Sequence, residues 1–246
     1  GSGLRGETWQ DMTMVQRYGC IDWFNLGDRD LGTHLYRTQR LNDGATLAEV
    51  TAEITAAWQL GLTLLPITND RIETRVTVPS EGEIGFQEYF VRLRHDVSVE
   101  SVRFAGAEQC APAPGVLEAI GGADVLIVAP SNPIVSIGPL LAVPGIRSAL
   151  TARRADAVAV SPIIAGKALK GPADRLMAEL GMDASVTGVA EIYRELVATL
   201  VIDNADAALA ADVEAAGVDC VVTDTIMRDA DVAADLCRTI LASHPT

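Results

Sequence analysis

The chain has 246 residues, is 49% apolar and carries a formal charge of −14. Its 33 acidic against 19 basic residues argue against a nucleic-acid or anionic-membrane surface, where neutralising phosphates requires a Lys/Arg excess. Cys20, Cys110, Cys220 and Cys237 stand far apart beside three histidines, which excludes a zinc pattern and a disulfide framework.

Every apolar run is cut by charge or proline before about 18 residues, the least that spans a membrane. Residues 1–7 have no apolar stretch of a secretory kind, so a soluble, cytoplasmic protein is expected. In chain order, 7–18 reads as a helix stopped by Gly19, and 28–41 as a second helix before an Asn-Asp-Gly turn. Thr46-Leu-Ala-Glu49 is a capping box that starts a third helix running to about Trp58. Residues 63–65, 73–78 and 86–93 read as strands, the last with the alternation of a half-buried ribbon. Ala111-Pro-Ala-Pro-Gly115 is the candidate joint between residues 1–110 and residues 111–246.

Beyond the joint, short β-rich runs alternate with amphipathic segments. Strands are predicted at 124–129, 157–160, 200–202 and 219–223, and helices at 172–180, 188–197, 205–216 and 231–242. The pattern is that of an α/β fold: a Rossmann-like, doubly wound, mostly parallel sheet with helices on both faces, preceded by a partly helical insertion. The two parts are expected to form one structural unit.

Ligands in such sheets bind beyond the carboxyl ends of the strands, so the loops there are the candidates for chemistry. Pro130-Ser131-Asn132-Pro133 follows a strand, with Ser136 and Gly138 close behind; it is either an ordinary turn or an anion site built from small donors. Ser161 to Pro172 follows the next strand and holds Lys167 and Lys170, the only lysines in the sequence. With other surface charge supplied by Arg, two lysines beside Gly and Pro suggest phosphate binding over a solvated loop. Asp28, Arg29 and Asp30 after Gly27, with Thr33 and His34 following, read either as the acidic first turn of a helix or as a polar ligand site. Phe86-Gln87-Glu88-Tyr89-Phe90 reads either as core and edge or as a wall for a flat aromatic ligand.

Together and in this order, these segments resemble the 2-phospho-L-lactate transferase and phosphoenolpyruvate transferase family of coenzyme F420 biosynthesis. The matching stretches are Leu4 to Trp9, Trp23-Phe-Asn-Leu-Gly-Asp-Arg-Asp-Leu-Gly-Thr-His34, Arg71 to Thr74, Phe86 to Val91, Pro130 to Pro139, Ser161 to Met177 and Thr223-Asp-Thr-Ile-Met227. The resemblance implies a Mg²⁺-dependent homodimer that moves a phospholactyl or phosphoenolpyruvyl group from a guanosine diphospho-linked donor to the deazaflavin Fo. The products would be F420-0 or its dehydro form, and GMP.

By the same resemblance, Arg5, Arg29, Thr33, His34, Phe86, Gln87 and Glu88 fall on the acceptor side, within residues 1–110. Ser131, Asn132, Ser136, Ser161, Lys167 and Lys170 fall on the donor side, and Asp28 or Asp30 would orient or deprotonate the attacking hydroxyl. Family members open with a strand, a Gly-Gly-x-Gly-Gly turn and an Asn-Thr-Gly-Asp-Asp type segment, and neither motif occurs here; an upstream strand and Gly-rich turn for the donor phosphate, and the main metal acids, are expected to precede Gly1. The alternative is a non-catalytic, nucleotide-sugar-binding regulator of the same fold.

Overall fold

A computed structural model describes residues 6–20 and 23–243. Three helices come first: α1 (Gln10–Arg17), α2 (Asp28–Asn42) and α3 (Leu47–Ala57). The capping box forms as predicted, with the Glu49 N–H donating to the Thr46 hydroxyl at 3.3 Å and the Thr46 N–H donating to the Glu49 carboxylate at 2.7 Å. Helices α1 and α2 cap each other. The Asp28 carboxylate accepts from the Gln10 and Asp11 N–H groups at 3.2 and 3.1 Å, while Glu7 accepts from the Arg29 N–H at 3.0 Å. Gly27 makes room for this exchange, since a Cβ there would stand 2.2 Å from Glu7 Oε2.

An antiparallel meander follows, with β1 (Glu73–Val78) between β2 (Gly82–Gly85) and β3 (Ser101–Ala105). Two predicted strands are corrected here. Residues 63–65 are irregular, because Leu64 and Leu65 are exposed with no strand to pair with among the described residues, and Pro66 ends the run. Residues 86–93 leave the sheet after Gly85 and wind into a π-helical turn, Glu88–Arg92. Phe86, Tyr89, Phe90 and Leu93 fall at i, i+3, i+4 and i+7, so the helical period puts all of them against the meander core, and it prevails over the two-residue alternation.

The second half supplies α4 (Val116–Gly122), β4 (Leu126–Val128), α5 (Gly138–Leu141), α6 (Ile146–Ala152), β5 (Ala157–Val160) and a small hairpin of β6 (Ile163–Ile164) with β7 (Lys167–Ala168). It continues through α7 (Ala173–Glu179), α8 (Val186–Tyr193), β8 (Thr199–Asp203), α9 (Ala210–Ala215), β9 (Asp219–Thr223) and α10 (Ala230–Ala242). Strands β4, β5, β8 and β9 lie in that spatial order, all parallel, with Val158 opposite Thr199 and Val201 opposite Val221. The predicted doubly wound sheet is therefore present.

Strand alternation divides the two faces. Ala157, Ala159, Leu200 and Ile202 point into the large core beneath α4 to α9, whereas Val158, Val160 and Val201 meet Leu236 and Ile240 of α10. Predicted helix starts move by a few residues for local reasons. Ser185 caps α8 by accepting from the Thr187 and Gly188 N–H groups, and Asp203 accepts from the Ala205 N–H, so the chain enters α9 through a 3₁₀ stretch, Asn204–Leu209. The 111–115 joint is packed, with Cys110, Ala113 and Val116 all in the large core. Among the described residues no single helix is long and apolar enough to cross a membrane.

Candidate active site

The carboxyl ends of the parallel strands open onto a cleft of about 710 Å³. Three loops that leave strands line it: Pro130 to Asn132 after β4, Ser161 and Pro162 after β5, and Thr225 to Met227 after β9. The fourth strand, β8, contributes the anchor. Asp203 at its end is 7% exposed and accepts from the Thr225 N–H at 2.9 Å and the Thr225 hydroxyl at 3.1 Å, which ties two neighbouring strand ends together.

Burial opposes the charge on Asp203, but hydrogen bonds from Ala205 and Thr225 outweigh it and hold the carboxyl below its ordinary range. A folded-state pKa below the unfolded one stabilises the fold above the unfolded value, about 3.9 for Asp, and that contribution fades as the pH falls through the folded value. The stability gap between the parent and Asp203→Asn, read from urea unfolding, should therefore be widest near neutral pH and shrink below about pH 4. A gap that stays constant down to acid unfolding would show that Asp203 is not the ionised anchor.

Asn132 is positioned by its own turn. Its side-chain oxygen accepts from the Ile134 and Val135 N–H groups at 2.9 and 3.2 Å, capping a π-helical turn that begins at Pro133. With the oxygen committed, Nδ2 is left as a buried donor without a partner among the described residues, on a residue that lines the cleft. Ser161 is almost fully buried and both donates to the Ile163 carbonyl at 3.0 Å and accepts from the Ile163 N–H at 3.1 Å, which turns the chain out of β5.

The loop after Ser161 contains the hairpin that sequence reading did not anticipate. Ala165 and Gly166 both have positive φ, 50° and 74°, as a two-residue hairpin turn requires, and Asp206 holds the Ala165 N–H at 3.0 Å. Beyond this hairpin, Leu169, Lys170, Gly171 and Pro172 run along the cleft. The opposite wall is aromatic: Phe86 and Phe90 stack with centroids 5.6 Å apart, and Phe90 stacks on His95 at 5.2 Å.

Of the residues singled out by sequence, Ser131, Asn132, Ser136, Ser161, Lys170 and Phe86 meet in this cleft. Lys167 is exposed on β7 and outside the lining. Arg29 and Thr33 face a groove between α2 and α3 with Tyr36, Glu53 and Trp58. Gln87 faces an apolar pocket with Met12, Trp23 and Phe24, and Glu88 pairs with Arg92 at 3.0 Å. His34 Nδ1 lies 2.6 Å from the Arg37 guanidinium. Asp28 is held below the ordinary carboxylate range, first by the Thr8 hydroxyl and then by the α1 N–H groups, against a desolvation cost. Asp30 sits in the first turn of α2, outside the cleft lining, and Arg5 lies outside the described residues.

Phe90 and Leu169 lie within the two segments read as candidate walls, whereas the sequence analysis gave Thr225, Ile226 and Met227 no place in the lining. The last three follow a predicted strand, so the carboxyl-end rule was the signal that would have found them. The described residues do not fit the expected Mg²⁺. No carboxylate lines the cleft, Asp203 and Asp206 are committed to protein donors, and no group of three His, Cys, Asp or Glu is gathered for a metal among the described residues.

Fold and cleft define an α/β protein with an open cleft across the ends of a doubly wound parallel sheet, lined among the described residues by one lysine and an aromatic wall. Residues 7–242 match the family model described as 2-phospho-L-lactate transferase CofD. The chain belongs to that family, and so to the transferases of coenzyme F420 biosynthesis. It is 44% identical over 246 residues to the phosphoenolpyruvate transferase of Streptomyces griseus subsp. griseus, covering 98% of this chain and 77% of that protein. The phosphoenolpyruvate transferase of Mycobacterium ulcerans is also 44% identical, over 97% of this chain and 74% of its own length. Among solved structures, protein BH3568 from Bacillus halodurans superimposes with a TM-score of 0.60 over 88% of this chain and 72% of its own, at 17% identity, a likeness of fold.

Proposed function

We propose that the cleft transfers a phospholactyl or phosphoenolpyruvyl group from a guanosine diphospho-linked donor to the terminal hydroxyl of Fo. The observation that carries this reading is the meeting of Lys170, the unpartnered Asn132 Nδ2 and the Phe86/Phe90 stack in one cleft. In the reaction the Fo oxygen bonds to the phosphorus bearing the three-carbon acid, the bridging P–O bond to the guanosyl phosphate breaks, GMP leaves with the electron pair, and the hydroxyl proton passes to solvent. Phosphoryl transfer of this kind depends on alignment and charge neutralisation more than on covalent help. Lys170 supplies positive charge for the diphosphate, Asn132 Nδ2 supplies a fixed donor, and the stacked phenyl rings offer a face to the planar deazaflavin.

The test is to incubate the full-length protein with Fo and each donor, with and without a chelator, and to measure GMP together with the F420-0 or dehydro-F420-0 product. Formation of GMP and product in equal amounts is expected, and comparison of the donors identifies the acid. Donor binding without any GMP release would favour the non-catalytic regulator instead.

A further inference from the structure

We propose that Arg175 and Glu179 are positioning residues that set the spacing between the aromatic wall and Lys170; the inference rests on the transferase reading above. Helix α7 starts immediately after Gly171-Pro172, and Ala173 and Pro172 themselves line the cleft. Two faces of this short helix are buried in different cores. Ala173 and Met177 enter the core of the parallel sheet, whereas Leu176 is wholly buried with Val76, Val78, Tyr89 and Val99 of the meander.

The polar side of the same helix reaches the meander directly. Arg175 Nε donates to Glu179 Oε1 at 2.7 Å, the guanidinium also donates to the Val97 carbonyl, and Glu179 Oε2 accepts from the Val99 N–H at 2.8 Å. Residues 97–99 lie just beyond the turn that carries Phe86 and Phe90. Within that turn the Tyr89 side chain is fully buried and its hydroxyl has no partner among the described residues, so its ring adds packing and no directional side-chain bond. Arg175 and Glu179 thus bond α7 directionally to the segment that immediately follows the wall. Their effect on the cleft is short-ranged, since a Cβ on Gly171 would lie only 3.9 Å from Phe90 Cε2.

A shift of the wall away from α7 would widen the slot for a flat ligand while leaving Lys170 and the strand-end loops in place. Losing these bonds should therefore raise the KM for Fo with little change in the KM for the donor, a split that general unfolding does not produce. In the full-length protein, Glu179→Ala is expected to raise the Fo KM at least about tenfold, the scale of one lost charge-assisted bond. Glu179→Gln, which still offers an oxygen to the Val99 N–H, should recover most of it. Hydrogen exchange at the Val99 amide should speed up in the alanine variant and not in the glutamine variant. Equal rises in both KM values, an unchanged Fo KM, or a glutamine variant as impaired as the alanine one would overturn the inference. Absence of transfer by the parent protein would instead overturn the functional reading, and this inference with it.

Discussion

Lys170→Ala should lower donor turnover about tenfold to a hundredfold, because losing a charge-assisted hydrogen bond typically costs about 1.5–3 kcal/mol, and each 1.4 kcal/mol is a factor of ten. The cleft makes this residue hard to replace. Among the described residues its lining contains one lysine and no arginine, in a protein whose net charge of −14 otherwise repels a diphosphate. Lys167→Ala is the internal control, since that side chain is exposed on the hairpin and outside the lining. Steady-state kinetics with donor varied at saturating Fo should show the large loss for Lys170 alone. Equal losses for both variants would mean that the hairpin closes on the donor and brings Lys167 inward; unchanged kinetics for Lys170→Ala would place the diphosphate elsewhere.

The largest effect on stability is expected at Leu200. It is completely buried in β8, paired with Ala159 on one side and Cys220 on the other, and points into the large core. Leu200→Ala removes buried carbon atoms and leaves a cavity that rigid strands on both sides cannot collapse, for a cost of about 2–5 kcal/mol. For a chain of this size that corresponds to a fall in Tm of roughly 4–20 °C. Calorimetry or denaturant unfolding checks it, and a change of under about 1 kcal/mol would show that the β8 core relaxes far more than close packing allows. Val222→Ala, at a residue 38% exposed on the edge strand, should cost much less.

The four parallel strands were legible because each is a short apolar run bounded by turn formers, and the two central ones, buried on both faces, need little else. The loops after them were legible for a related reason. Ser131, Asn132 and Ser161 are polar residues placed where a packed element has no use for them, and the carboxyl-end rule gives such positions a meaning. Residues 86–93 were misread because their apolar residues satisfy two periods at once, and only contact with Leu176 and Val99 selects the helical one. Asp28 is a similar case. A carboxylate at a helix start reads equally as a cap or as a ligand group, and its bonds to the α1 N–H groups were invisible without knowing that the two helices abut.

The alternation of strand and helix, the positions of the strand-end loops and the isolation of two lysines in one of them are local properties of the chain, set by periodicity and turn chemistry. Which of those pieces share a cleft is not local. Phe86 and Lys170 are brought to one site because α7 buries Ala173 and Met177 in one core and Leu176 in another, and a sequence records those residues only as apolar. The separation of Lys170 from Lys167 likewise depends on a hairpin whose turn Asp206 holds from another part of the fold. Contacts between distant segments are chosen by complementary packing and by the pairing of buried polar groups, and these become defined only when the segments meet.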